Sequence, residues 1–449
     1  MEFLRNIKQK IKALFGKQVQ ESRIESNAET FWERDYTRID AINFTEIFAN
    51  RLTNYAIADS TVGIEDENVS ELLQTTFGRA YKWVQMALGI GRVFLVPYVN
   101  GGKVYTDIIP QSRAWVTHIV GGDIIGMVVL ADIRNVDTRI YQRWTLYEYD
   151  PVGKSFTITN KATTYGGAGE ISLATLPEWE DIPPQAKING VERPLFAYCD
   201  SPKDNRTADL LQGASITMGC EDTIKEIRET LKEYASEFEL KRAFVGVDKL
   251  MIDKETGKPS PLFITFEDKR SESLFEVFSP DIRDQAYRDR LNALFARLEK
   301  QVGTSSGILT PAETANATAT QVRRSMFDTF CMVSKMRRSI ENCLRGLCES
   351  YAVYLRLLGV PVKDGLTPSF DWDNSFVEDT AETFAQLAQG QAMGAISEAE
   401  VRRFIFPSET EGEAEEAVRK ISENKPEQLY MPPDGLFGDT GADGENERV

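Results

Sequence analysis

The chain contains a single histidine, His118. A Ser-His-Asp hydrolase would have to use it, and a histidine-rich metal site is impossible. Its neighbours Trp115, Val116, Ile119 and Val120 are apolar, which reads as a strand position rather than a catalytic base. Asp253-Lys-Glu-Thr-Gly257-Lys258-Pro259-Ser260 ends like a phosphate-binding loop. However, Ile252 stands where the first glycine belongs and Pro259 where the magnesium-binding hydroxyl belongs, so the segment reads as a charged hairpin tip. Gly89-Ile-Gly91 lacks the third glycine of a dinucleotide fingerprint and precedes a strand, which makes it a turn. Asp371 and Asp373 with Glu378 and Asp379 are a carboxylate set for a divalent cation, but they fall at a strand end and a helix start, where acids act as caps. The five cysteines, Cys199, Cys220, Cys331, Cys343 and Cys348, are odd in number and form no Cys-x-x-Cys pair. They read as reduced thiols made in cytoplasm. No nucleophile, cofactor or metal constellation emerges, so the expectation is a non-enzyme with no cofactor.

The composition fits that expectation. Among 449 residues, 69 are acidic and 52 basic, a net charge of −17, with 42% hydrophobic and 27% charged residues. This length allows two to four domains or one large elaborated fold with an ample core. Strong acidity argues against tight phosphate binding, which draws its affinity from clustered lysine and arginine. It leaves room for a surface past which DNA slides. No apolar run reaches the ~18 residues of a membrane span. The start of the chain is instead a short basic amphipathic helix, with Phe3, Ile7, Ile11, Leu14 and Phe15 on one side, suited to lying on a membrane or, the plainer reading, to docking on a partner. A soluble, intracellular protein is expected.

These residues must be carried by elements whose period changes along the chain. Phe44–Ala58 and Ser70–Leu88 repeat apolar residues at helical spacing. After Gly91 the pattern becomes that of strands. Arg92–Val99 and Lys103–Ile109 flank Asn100-Gly101-Gly102, and Ala114–Val120 and Ile124–Ile133 flank Gly121-Gly122-Asp123. Ile140–Tyr149 and Ser155–Thr159 complete an antiparallel meander, and a short strand near Pro194–Tyr198 follows an irregular stretch. From Ala208 to about Arg242 the spacing predicts one long helix of ~50 Å with Ile224, Ile227, Leu231, Tyr234 and Phe238 as its seam. Short strands then occupy Ala243–Asp253, Leu262–Phe266 and Ser273–Phe278. Ser279-Pro280-Asp281 caps a second helix through Val302, with a seam that includes Leu291, Leu294 and Leu298. Gly303–Thr318 is small, polar and flexible, and a third long helix spans about Thr320 to Leu358. A strand near Ser369–Trp372, helical pieces at Val377–Gln389, Ser397–Phe404 and Glu411–Glu423, and an acidic disordered tail from about Lys425 close the chain.

Two long helices joined through a small β-rich excursion, then a small-residue loop and a third long helix, resemble the portal proteins of tailed bacteriophages. The similarity is to the subgroup of siphophages of Gram-positive bacteria. It rests on the basic amphipathic start, on Trp32 and Tyr36 before a helix, and on Pro194-Leu-Phe-Ala-Tyr198 with Ser201-Pro202 leading into a long helix. It also rests on Gly303-Thr-Ser-Ser-Gly307 followed by Ala317-Thr-Ala-Thr-Gln321-Val322, where Gln321 replaces the usual Glu, and on Asp371-x-Asp373-Asn374-Ser375 with Glu378-Asp379.

The resemblance implies an α+β portal fold with an antiparallel β wing, a long-helix stem hairpin, a small β-rich clip and a helical crown. Carried over, residues 1–207 are the wing, 208–242 the wing-to-stem helix, 243–280 the clip and 281–302 the second stem helix. Residues 303–319 are the tunnel loop, 320–375 the long wing helix and short strand, 376–424 the crown helices and 425–449 the tail. It further implies a homo-oligomeric ring, a dodecamer, at one capsid vertex of the virion, assembled in the host cytoplasm. Double-stranded DNA passes through the channel, and terminase, the major capsid protein and head-completion or adaptor proteins dock on the ring, with no membrane involved. The DNA-facing residues are then Thr304, Ser305, Ser306, Thr310, Glu313, Asn316 and Thr318. The motor-facing clip residues are Asp253, Lys254, Glu255 and Lys258. Two other classes share parts of this pattern: a structural or scaffolding protein without a channel, and a cytoplasmic enzyme lacking any recognisable motif.

Overall fold

The computed structural model describes residues 11–16, 42–167, 169–205, 212–240, 244–247, 275–278, 283–311, 325–372, 387–406 and 410–423. It divides into two units, Met1–Val377 and Glu378–Val449.

In the first unit, helix α1 (Phe44–Ile57) starts where the Asn43 side chain accepts from the Glu46 N–H at 3.1 Å. Strand β1 (Thr61–Gly63) follows, then α2 (Glu67–Phe77) and α3 (Ala80–Ile90). The apolar repeat of 70–88 is therefore two helices rather than one. The break falls at Gly78-Arg79, where the Thr76 carbonyl accepts from the Trp83 indole at 3.1 Å instead of continuing the helical ladder. Asp66 caps α2 through Val69 N–H at 3.1 Å and also accepts from the distant Lys363 N–H at 3.0 Å.

The β region follows the turn signals closely. Strands β2 (Arg92–Asn100) and β3 (Lys103–Pro110) form the expected hairpin. Strands β4 (Ala114–Val120), β5 (Asp123–Val136), β6 (Arg139–Asp150), β7 (Ser155–Thr164) and β8 (Glu170–Ile171) run as an antiparallel meander, with β9 (Gln185–Asn189) added to β7. The β2–β3 hairpin belongs to a different sheet, ordered β10-β2-β3, in which β10 (Ala197–Asp200) returns from far along the chain. Alternation along β5 directs Met127 and Val129 into the main core and Val128 and Leu130 into a second cluster with Trp115, Trp144 and Leu146, while the register shift between Gly126 and Ile124 brings Ile124 into the main core as well. Ile11 and Leu14 of the helical turn at 11–15 join that second cluster, so these residues of the amphipathic start pack on the chain's own sheet. His118 is an exposed strand residue paired with Gly126.

The expected helix from 208 begins later. Helix α4 is Glu221–Leu240, about 30 Å long at 1.5 Å per residue, and residues 212–220 form turns before it. The cause is a backbone-to-backbone seat: a Cβ on Gly213 would lie 2.0 Å from the Gly91 carbonyl oxygen, and Ile216 N–H bonds the Leu88 carbonyl at 3.0 Å. Those bonds hold the chain against the end of α3 and prevent it from coiling. Beyond α4, β11 (Phe244–Val247) pairs with β12 (Phe275–Phe278), and α5 (Asp284–Val302) returns antiparallel to α4.

Helix α6 (Phe327–Leu357) is the spine of the unit. Its seam Val333, Met336, Ile340, Leu344, Leu347, Tyr351 and Tyr354 is buried, as the spacing of the apolar residues requires. It crosses the β10-β2-β3 sheet, where the Tyr351 hydroxyl is 2.7 Å from Thr76 Oγ1 and 2.5 Å from Thr106 Oγ1. Buried Arg337 donates to the carbonyls of Ala56 and Tyr55, both at 3.0 Å, and lies over the Trp372 ring. Strand β13 (Ser369–Asp371) pairs with β1, and Trp372 stacks parallel on Phe370 and donates to Glu341 at 2.8 Å. Four of the five cysteines are buried, Cys331 is half-buried, and all five are free thiols.

In the second unit, α7 (Glu398–Ile405) opens on a capping box between Ser397 and Glu400, and α8 (Glu411–Glu423) matches its expected bounds. Ala414 is buried between them, while Met393, Ile405, Phe406 and Ile421 are exposed.

The N-terminal residues Phe3, Ile7, Trp32 and Tyr36, the strand expected at Leu262–Phe266, and the Ser279-Pro280-Asp281 cap lie outside the described residues. So do Asp373, Glu378, Asp379 and the tail.

Candidate functional site

Helices α4 and α5 and the loop after α5 bring together most of the residues singled out from the sequence. Near the body, Ile227, Leu291, Leu294 and Leu298 are buried, with Val302 closing the base. Ile224, Leu231 and Tyr234 are half-buried, and Phe238 is 51% exposed. The apolar seam thus thins toward the far end of the hairpin, where aromatic and ionic contacts take over. Tyr234 stacks on Tyr287 with centroids 5.2 Å apart and meets Phe238 edge-on at 4.9 Å. The Tyr234 hydroxyl donates to Asp284, and Arg283 donates to Glu237 from its Nε at 2.7 Å while lying over the Tyr287 ring. The Arg283 hydrogen bonds hold the Glu237 carboxyl below the usual carboxylate range, and the Tyr234 hydrogen bond does the same for Asp284. On the same flank Arg290 and Arg297 both approach Glu226, at 3.5 and 3.8 Å.

The loop after α5 corrects its composition-based reading. Gly303 ends the helix in the left-handed region at φ 91°, a conformation that costs a residue with a side chain. From there the chain is tied down rather than free. Thr304 is buried and donates from both N–H and Oγ1 to the Glu299 carbonyl, at 3.0 and 3.2 Å. Ser305 is buried and exchanges hydrogen bonds with Thr329: its N–H donates to Thr329 Oγ1 at 2.9 Å, and Thr329 N–H donates to its Oγ at 3.3 Å. Ser306 is exposed, and Thr310 is half-buried.

The Glu299 side chain, 1% exposed, organises the next turn. Its Oε1 accepts from the N–H groups of Ile308, Leu309 and Thr310 at 2.9, 2.7 and 3.2 Å, and its Oε2 accepts from Thr310 Oγ1 at 2.6 Å. Small polar residues here do not signal mobility. They allow backbone N–H groups to converge on one carboxylate. Lys203 adds a tether by donating to the Gln301 carbonyl at 2.6 Å.

Glu299 was invisible to sequence reasoning because it follows Leu298 as one more acid on an amphipathic helix. Only the fold shows that it points inward. Thr329 was missed for the same reason. Of the remaining loop residues, Glu313, Asn316 and Thr318 lie outside the described residues, as do Asp253, Lys254, Glu255 and Lys258 at the hairpin tip. Among the described residues no group of three His, Cys, Asp or Glu could hold a metal ion, and no helix is long and apolar enough to cross a membrane.

Residues 246–427 match the family of phage portal proteins described as SPP1 Gp6-like. The matched stretch begins in β11 and includes β12, α5, the loop, α6, β13, and α7 and α8 of the second unit. It supports a phage portal protein, and that family is structural rather than enzymatic and part of the viral capsid. No curated protein matches the chain significantly.

Proposed function

We propose that the protein is the portal subunit whose homo-oligomeric ring, a dodecamer, occupies one capsid vertex and serves as the channel for DNA packaging and ejection. The observation that carries this reading is the family match over residues 246–427, which covers β12, α5, the loop after it and α6. In this reading the β sheets and α6 are the wing, α4 and α5 the stem, 243–280 the clip and the second unit the crown. Terminase and, later, head-completion or adaptor proteins dock on the clip through Asp253, Lys254, Glu255 and Lys258, and the major capsid protein surrounds the wing.

The thinning seam of the hairpin supports assembly. Half-buried Leu231 and exposed Phe238 are apolar positions that a neighbouring subunit would complete. The net charge of −17 suits a channel, since each cationic contact to phosphate would add a hold that translocation must break. Residues 303–311 pack against α5 and α6, so the DNA-facing part of the loop is its later portion, with Glu313, Asn316 and Thr318. Thr304 and Ser305 then act as supports rather than contacts.

Native mass spectrometry and negative-stain imaging of the purified chain test the reading. Closed rings with a central hole are expected, and a compact monomer at all concentrations would refute it.

A further inference from the structure

We propose that Glu299 is the positioning residue of the channel loop: its carboxylate latches residues 308–310 to the end of α5 and so sets where the following segment departs. The inference rests on the portal reading for the loop's purpose, but the latch itself stands on geometry. A carboxylate removed from water is costly unless its lone pairs are filled, and here four donors fill them. No lysine or arginine among the described residues forms an ion pair with it, so the negative charge is balanced by backbone N–H groups and one hydroxyl. All four donors come from three consecutive residues, and the acceptor comes from another element. That arrangement holds the loop rather than the helix, because α5 already closes through its own bonds and the Gly303 cap.

Two further ties give the latch its direction. Thr304 bonds back to the Glu299 carbonyl, and Ser305 and Thr329 exchange hydrogen bonds across the gap to the start of α6. Residues 303–310 are therefore pinned at both α5 and α6, and the Glu299 side chain pins their 308–310 end. Its isosteric amide would weaken the match. Glutamine can keep one oxygen on the three N–H groups and donate its NH₂ to the Thr310 hydroxyl, but it loses the negative charge that strengthens the three backbone hydrogen bonds.

The test compares the parent chain with Glu299→Gln and with Thr310→Val, which removes one donor and keeps the carboxylate. Amide hydrogen exchange and the denaturant midpoint are read on the full chain. The latch requires exchange at Ile308, Leu309 and Thr310 to quicken at least about 10-fold in Glu299→Gln. The increase in Thr310→Val should be smaller, with exchange in the α6 seam unchanged in both. Parent-like exchange at the three amides in Glu299→Gln would overturn it. So would a rise shared equally by the α6 seam with a lowered midpoint, since that would make Glu299 a general stabiliser. Should Glu299→Gln fail to fold, Thr310→Val carries the same decision at its own amide and at Leu309. Where rings form, a loosened latch should also slow DNA packaging. A parent chain that forms no ring would remove the portal reading and leave the latch decided by exchange alone.

Discussion

The body around α6 and the α4–α5 hairpin are stabilised in different ways. Around α6, large side chains are sealed: Trp83, Phe94 and Tyr351 are almost fully buried, and the Tyr351 hydroxyl finds partners in Thr76 and Thr106. Burial foremost, with a further push from Cys348 and Cys343, raises the Tyr351 phenol to about 12 against the opposing effect of those two hydroxyls. The far half of the hairpin has no comparable core, and exposed ion pairs and stacked rings hold it. Exposed pairs contribute little on their own. The difference teaches that buried apolar packing holds the body, whereas surface ionic and aromatic contacts hold the described far half of the hairpin.

The sharpest way to break this comparison is a charge in each region's seam. Leu294→Asp places a carboxylate where the leucine is 6% exposed, and it should cost at least about 3 kcal/mol, visible as a collapsed melting transition in circular dichroism. Leu231→Asp, half-buried in the single chain, should leave most of that transition intact while abolishing rings in native mass spectrometry. Equal damage to folding from both would erase the distinction.

Next in size is Gly91→Ala. The new Cβ would stand 2.1 Å from the Gly213 carbonyl oxygen at a φ of 107°, so a loss of more than about 2 kcal/mol in urea unfolding is expected. Arg337→Met keeps the length of the side chain but orphans the Ala56 and Tyr55 carbonyls, with an expected cost of about 1–3 kcal/mol by the same measurement.

Asp66 gives a smaller, pH-dependent effect. Hydrogen bonds, first from Lys363 N–H, lower its pKa in the folded state. Its contribution is therefore present above the unfolded value of about 4 and is lost as pH falls through the lower folded value. Asp66→Asn should melt below the parent at neutral pH, and the gap should narrow on acidification. A gap constant with pH would show that the cap does not depend on charge. The smallest effect belongs to Glu237→Gln at the exposed end of the hairpin. The single chain should melt almost as before, and any difference should vanish at high salt.

What could be read from the sequence is local. Glycine-marked hairpins between β2 and β3 or β4 and β5, the α6 seam and the helix opening at Ser397 depend on neighbours within a few residues, and each formed where its pattern stood. The order of helical and extended segments was legible for the same reason. Long-range contacts were not legible. The start of α4 depends on two glycine backbones meeting 122 residues apart, at Gly91 and Gly213, which no window of spacing encodes. Loop 303–311 has the composition of a free linker, yet one inward-facing acid and a threonine from α6 tie it down. Residue types and periods set which segments coil or extend and which faces are apolar. Only the packed chain decides which backbone groups lack water and must find a partner, and that requirement turned Glu299 from one charge among 69 acids into the anchor of the loop.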